Sequence, residues 1–387
     1  MNVLFLRSHT FLTKEIENAL LKRSDLTVLT IDIPQYPQIS YIENLIEKIS
    51  YFLPALVISI NDGGFDYKGV FQKNLISKGC HLVNWYHDYP FYEEIFHGRI
   101  MVPQKENFFF ISEESFVQEA QNRGFDSFFL PLATDPVYFY PSSSNDFTKD
   151  ISFVGNSSSL FIDSVITEKR GQEIEKIISV LGMVKKNYYD DPEINVRDLL
   201  IKNEVLWENK TSLPRDELLF ILEWLCGYFY RRDFIVKLSQ RYSKTFTCFG
   251  DADWKFFIDP SQVSTEACYY TTLRDVYKSC KINLNINRIQ IRTSFTQRIF
   301  DCSASGAFIL TDKRKLNSTL FCTEGKEKEL IEFSSFEECV SLIDYYLIHE
   351  EERIEIAERA KRKVLANHTY DNRINTLLYE CKNFWKI

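Results

Sequence analysis

The stretch RTSFTQRIFDCSASGAFILTD, residues 292–312, decides how this chain is read. It spells a polar loop, a short helix entered near Ser294, a glycine stop at Gly306 and a buried strand from Ala307 to Thr311, closed by Asp312. Phe295, Ile299 and Cys302 recur at helical spacing and form a core-facing side, whereas Arg298 and Asp301, three apart, share another face. A helix start carries unpaired N–H groups and a partial positive charge, so Thr293, Ser294 and Phe295 at its entrance, with Arg298 beside them, form a seat for a diphosphate. Asp301 then accepts hydrogen bonds from ribose hydroxyls. The small run Ser303, Ala304, Ser305, Gly306 permits close approach, and Gly306 supplies the left-handed residue that ends the helix. The same spacing also suits an ordinary helix–turn–strand unit with a surface ion pair at i, i+3.

Outward from this stretch, strands alternate with helices. In the N-terminal part, Asn2–Leu6, Leu26–Asp32, Ala55–Ile60, His81–Tyr86, Asn107–Ile111 and Ser127–Leu130 read as strands, with helices over Phe11–Lys22, Ile42–Phe52, Tyr67–Lys78 and Glu114–Arg123. This alternation predicts an α/β fold with a parallel, doubly wound sheet, whose ligands collect at the carboxyl ends of its strands. Pro136, Pro141, three serines, Asn145 and Asp146 then spell a linker. A second alternating region opens with ISFVGN and resumes at Thr245–Phe249. The intervening residues, about 161–242, read as a charged helical insertion with two apolar helices around Glu217–Tyr230 and Phe234–Tyr242. The expected organisation is a Rossmann-like domain over 1–140, a second over 150–368 and a terminal helix over 369–387.

A chain of 387 residues exceeds one domain of ordinary size, and 45% hydrophobic with 26% charged residues describes a globular protein. Thirty-two Phe and 21 Tyr imply large cores. A formal net charge of −8 argues against nucleic acid as a partner and against broad adhesion to anionic lipid. Nine cysteines without a CxxC pair read as reduced thiols in a cytoplasmic protein, not as a disulfide frame or a zinc site. The segment MNVLFLRSHTFL reads as a first strand and not a signal peptide, and with no apolar run of spanning length, membrane association is at most peripheral. No GxGxxG follows the first strand, which argues against an NAD-dependent oxidoreductase.

RIFDCSASGAFILTD, DVYKSCKINLNINR upstream of it, NHTYDNRINTLL downstream, and NWYHDYPFY and FLPLATDP in the N-terminal half together resemble the GT-B glycosyltransferases, and within them the CgeB-like (spore maturation protein) group. The resemblance covers most of the chain except about 80 middle residues. It implies two Rossmann-like domains facing a cleft, a terminal helix crossing back, and transfer of a sugar from a nucleotide-diphosphate donor of UDP or GDP type to a glycan, lipid or protein acceptor. Retaining relatives show two acids eight positions apart around this helix. Here the second matches Asp301 but the first falls on Thr293, which leaves the stereochemical outcome open.

Glycosyl transfer needs a stabilised diphosphate leaving group, a positioned acceptor hydroxyl and, for inversion, a base. Gly155 and Asn156, ending the first strand of the second domain, bring backbone N–H groups to the phosphates, and Gly250, Asp251 and Trp254 lie in a loop similar to one that reads the base in this fold. In the first domain Asp88 or His87, directly after an apolar strand, is the expected base or acceptor-orienting group, with Asn61 and Asp62, ending the neighbouring strand beside Gly63 and Gly64, as second choice and His9 as third. Asp251 and Asp253 have Asp-x-Asp spelling in a domain where it carries no metal role, so no metal or other cofactor is expected. Two alternatives use the same fold: a non-catalytic nucleotide- or sugar-binding protein of surface or spore-coat assembly, and a nucleotide-sugar epimerase.

Overall fold

The computed structural model describes residues 1–8, 11–98, 101–141, 147–160, 162, 174–189, 191, 193–208, 212–288, 291–294 and 296–387. Two of the expected site positions, His9 and Phe295, lie outside the described residues. The chain divides into two compact units, the first comprising Met1–Asp135 with His368–Ile387 and the second Pro136–Asn367.

The first unit is built on six parallel strands, β1 (Asn2–Arg7), β2 (Thr27–Asp32), β3 (Leu56–Ile60), β4 (His81–Tyr86), β5 (Asn107–Ile111) and β6 (Ser127–Phe129), in the order β2-β1-β3-β4-β5-β6. Every residue of β3 is buried, because a parallel sheet has helices on both faces and its central strands must be apolar throughout. On one side Leu4, Leu6 and Val57 pack with Ile42, Leu45 and Ile49 of helix Ile39–Ser50 and with Phe71 and Leu75 of helix Val70–Ser77. Each such side chain contributes about 1.5–3 kcal/mol on burial. Helix Tyr92–His97, which periodicity does not announce, is an addition to the expected pattern.

Helix Tyr370–Trp385 belongs to this unit. Thr369 and Asn372 close a capping box at its start, and Arg373 reaches the carbonyls of Pro131 (2.8 Å) and Leu132 (3.1 Å). Burial lowers the Arg373 guanidinium to about 10. At its end, the Trp385 indole donates to Lys105 O (2.8 Å) and stacks on His81.

The second unit also holds six parallel strands, β7 (Lys149–Val154), β8 (Phe246–Phe249), β9 (Val263–Ser264), β10 (Cys280–Asn285), β11 (Ile309–Asp312) and β12 (Ile331–Phe333), in the order β12-β11-β10-β7-β8-β9. The short edge strands β9 and β12 carry too few residues to show a period. The two apolar helices expected around Glu217–Tyr230 and Phe234–Tyr242 are one continuous helix, Arg215–Arg241. The charged triplet between them does not break it because its charges are satisfied sideways. Arg231 donates twice to Ile286 O (3.1 and 2.9 Å), and Asp233 accepts from Arg232 and from Lys185 (2.7 Å). This helix leads directly into β8, the parallel neighbour of β7, so the end of the segment expected as an insertion is the crossover helix of the sheet itself.

In the 292–312 stretch the helix runs Arg298–Ala304 and the strand Ile309–Asp312, with Gly306 left-handed at φ 74° between them. The helix does not start near Ser294. Thr293 and Thr296 are tied to other segments instead, by Leu316 N donating to Thr293 O (3.0 Å) and Thr296 N donating to Asn287 Oδ1 (3.2 Å). Tertiary hydrogen bonds override the local helical period there.

Candidate functional site

In an open parallel sheet the two strands at which the order reverses leave a crevice beyond their carboxyl ends, because their following connections run to opposite faces. That reversal falls between β1 and β3 in the first unit and between β7 and β10 in the second. The two points are chemically unlike.

At the second, β7 ends in Gly155, whose N–H donates to Phe249 O (2.8 Å). A Cβ on Gly155 would lie 2.7 Å from an Arg298 terminal nitrogen and 2.9 Å from the Phe153 ring, so Gly155 is the residue that lets the guanidinium sit against the β7 turn. Gly250, ending β8, has an equally tight role, since a Cβ there would collide with Gly155 O and meet Trp254 at 2.9 Å. The Trp254 indole donates to Gly155 O (2.8 Å), and Asp251 Oδ2 accepts from Ser157 N (2.9 Å). The turn containing Gly155 and Asn156 is thereby stitched to the loop containing Gly250 and Trp254. Trp254 itself is buried, and Asn156 is exposed at the turn.

Among the described residues Arg298 is bonded only to neutral groups, Asn285 Oδ1 and Thr296 Oγ1, both at 3.3 Å from Nη1. The ion pair with Asp301 that an i, i+3 spacing allows does not form. Asp301, 1% exposed, accepts instead from the Tyr269 hydroxyl (3.1 Å). Two further arginines converge here. Arg231, buried in helix Arg215–Arg241, lies over one side of the Phe153 ring system at 5.9 Å while Arg298 lies at 5.7 Å. Arg288, just past β10, donates to Ser158 Oγ (3.2 Å) and approaches the Trp224 ring at 5.2 Å. Burial lowers the Arg298 pKa from its ordinary value, Arg288 adds to the shift, and Tyr277 and Asp312 oppose it. Burial, then Arg298 and Arg288, take Arg231 further down. Guanidinium stays protonated at neutral pH even so, and the result is concentrated positive charge at the carboxyl ends of β7 and β10.

Arg231 and Arg288 were not among the residues expected from sequence, nor were the side chains that support Arg298. A signal for the latter exists: Asn283, Asn285 and Asn287 alternate with Ile282, Leu284 and Ile286 along β10 and just past it, and all three are buried. Buried amides at a spacing of two demand partners on one face.

At the first reversal point, Asn61 and Asp62 both adopt left-handed backbone, φ 49° and 55°, directly after β3. Asn and Asp enter this region more readily than other non-glycine residues, and unusual backbone of this kind gathers at turns and working sites. Asn61 joins the ends of β3 and β4. Its Oδ1 accepts from His87 N (2.8 Å) and Asp88 N (3.3 Å), and its Nδ2 donates to Asp88 Oδ2 (2.9 Å). His87 is half-buried with its ring edge-on to Trp85 at 5.2 Å, and Asp62 is buried. Of the three expected acid–base residues, only Asp88 is exposed. Gly63 has no room for a side chain, since a Cβ would collide with Ser8 Oγ and meet Gln35 at 2.9 Å.

Among the described residues, no group of three or more His, Cys, Asp or Glu side chains is placed to hold a metal ion, and no helix is long and apolar enough to cross a membrane.

Residues 231–379 match the family model described as glycosyl transferase-like. No curated protein matches the chain. Among solved structures it is similar to a glycosyltransferase from Rickettsia africae, at 11% identity over 100% of this chain and 98% of that one, with a TM-score of 0.50. It is also similar to Alr3699/HepE of Anabaena, solved in complex with UDP and glucose, at 11% identity over 98% of this chain and 99% of that one, with a TM-score of 0.51. At such identity these two likenesses speak for the fold. Residues 231–379 thus carry a glycosyl transferase-like domain, and the chain has the GT-B fold.

Proposed function

We propose that the protein, a CgeB-like glycosyltransferase, moves a sugar from a nucleoside-diphosphate donor of UDP or GDP type to a glycan, lipid or protein acceptor. The donor diphosphate occupies the β7–β10 crevice of the second domain, 150–368, between the Gly155–Asn156 turn and Arg298. Thr293 and Ser294 line its approach, the loop with Gly250 and Trp254 faces the base, and Asp301 serves the ribose side through Tyr269. The observation that carries this reading is Arg298 itself, packed against a glycine turn with only neutral partners among the described residues. A desolvated cation without a carboxylate gains most from an anion brought in as ligand. The diphosphate charge that develops as the glycosidic bond breaks is stabilised by the same group.

The acceptor side is the first domain, 1–140 with the helix of 369–387. Asp88, exposed and oriented by Asn61, is the group that takes a proton from the acceptor hydroxyl, with His87 beside it and Asp62 beneath. No metal ion or other cofactor is required. All nine cysteines are free thiols, which supports a reducing, cytoplasmic setting, and the net charge of −8 disfavours nucleic acid and leaves membrane contact at most peripheral.

A thermal-shift screen of the purified protein against UDP, GDP, dTDP, ADP and CMP and their sugars tests the donor class. A ligand bound by the folded state alone raises Tm by mass action. Selective stabilisation by one nucleoside diphosphate, absent in Arg298→Ala, is the expected result. No shift with any of them overturns the donor assignment.

A further inference from the structure

Behind Arg298 a directed chain of hydrogen bonds runs back to a buried carboxylate. Asp312, ending β11, is wholly buried and paired with Arg314 at 2.9 Å. A carboxylate accepts and never donates, so its Oδ1 fixes the Asn287 amide with the nitrogen inward (Nδ2 to Oδ1, 2.7 Å) and also takes Asn287 N (3.0 Å). Asn287 Oδ1 must then face outward as an acceptor, and it receives Asn285 Nδ2 (3.2 Å) and Thr296 N (3.2 Å). That turns Asn285 in the same sense. Its Nδ2 also donates to Thr311 Oγ1 (3.0 Å), which leaves its Oδ1 to accept from Thr296 Oγ1 (3.0 Å) and Arg298 Nη1 (3.3 Å).

We infer that Asn285 is a positioning residue for the donor diphosphate, acting through Arg298, with its amide orientation set from Asp312 by way of Asn287. This rests on the donor reading above. The chemistry explains why an amide stands there. An acceptor is needed to hold Nη1 in place beside Gly155, yet a carboxylate would neutralise the guanidinium in the empty site and compete with the incoming phosphates. A neutral oxygen oriented from a distant charge fixes the geometry and leaves the cation's field for the ligand. Thr296 is the second member of the clamp, since its hydroxyl touches both Asn285 Oδ1 and Arg298 Nη1.

A double-mutant cycle read with inorganic pyrophosphate by titration calorimetry tests this, using wild type, Asn285→Ala, Arg298→Ala and the double variant. A residue that acts through another loses its effect once that other is gone. Asn285→Ala is expected to weaken pyrophosphate about tenfold in the wild-type background and to change nothing further in the Arg298→Ala background, as about 1.4 kcal/mol of coupling requires. Equal losses in both backgrounds, or none in the first, overturn the inference while leaving the donor seat standing. Absence of binding by wild type to pyrophosphate and to every nucleoside diphosphate overturns the donor seat, and this inference with it. Thr296→Val and Thr296→Ser give an independent reading with little disturbance of packing. The valine variant is expected to lose several-fold in affinity and the serine variant to keep wild-type affinity, whereas equal affinity in both overturns the clamp.

Discussion

The two reversal points of the molecule share a topology and differ in almost everything else. Between β7 and β10 three arginines converge on a glycine turn, supported from below by a buried amide chain. Beside the β1–β3 point, at the joined ends of β3 and β4, the prominent groups are carboxylate and imidazole, Asp88 lies at the surface, and the backbone is left-handed at Asn61 and Asp62. The first arrangement suits a site that waits for negative charge. The second suits a site that must offer a proton acceptor to a neutral hydroxyl. A parallel sheet supplies the place for chemistry in both units, and the side chains at the strand ends decide which chemistry it is.

The largest effect that would sharpen this contrast lies beneath the cationic point. Asp312→Ala removes the buried carboxylate that faces the Arg314 guanidinium and is expected to lower stability by about 3–5 kcal/mol in denaturant unfolding. A loss under about 1 kcal/mol would show that the amide chain has no charged anchor. Next, Gly155→Ala puts a methyl group where the Arg298 guanidinium lies and should weaken nucleoside-diphosphate affinity about tenfold, close to 1.4 kcal/mol, with the acceptor KM unchanged. A parallel change in both constants would break the separation of roles.

On the acidic side, Asn61→Gly keeps the left-handed backbone at no cost and removes only the side-chain bonds to His87 and Asp88. Turnover should fall several-fold to about tenfold with donor affinity intact, since a misplaced base costs rate and not donor binding. Smallest of all is the effect of removing divalent ions. Chelation with EDTA should leave turnover unchanged, Asp251→Asn together with Asp253→Asn should leave any metal response unchanged, and a metal requirement lost in that variant would give those two carboxylates the role denied them here.

Much of the frame is legible in the sequence, because short, mostly apolar runs such as LVISI in β3 and HLVNWY in β4, set between helical segments, read as buried strands. The start of the helix at Arg298 is not legible. It is set by bonds from Thr296 to Asn287 and from Leu316 to Thr293, which connect segments that only the folded sheet brings together. The cationic cluster escapes for the same reason. Arg231 lies on a crossover helix and Arg288 after β10, and neither is close in sequence to Gly155; the strand order places them there. Asp301 shows a further limit, since helical spacing gave it a face but not the Tyr269 hydroxyl that covers it.

The most direct test of the contrast is a crossed comparison of Arg298→Ala and Asp88→Asn, each measured for donor affinity by calorimetry and for turnover with the nucleotide sugar that the thermal-shift screen selects. Arg298→Ala should lose about a hundredfold in donor affinity, and Asp88→Asn should bind donor as wild type does while kcat falls by about 10²–10⁴. Donor affinity retained in Arg298→Ala, or full turnover in Asp88→Asn, would contradict the assignment of the anion to one reversal point and the base to the other.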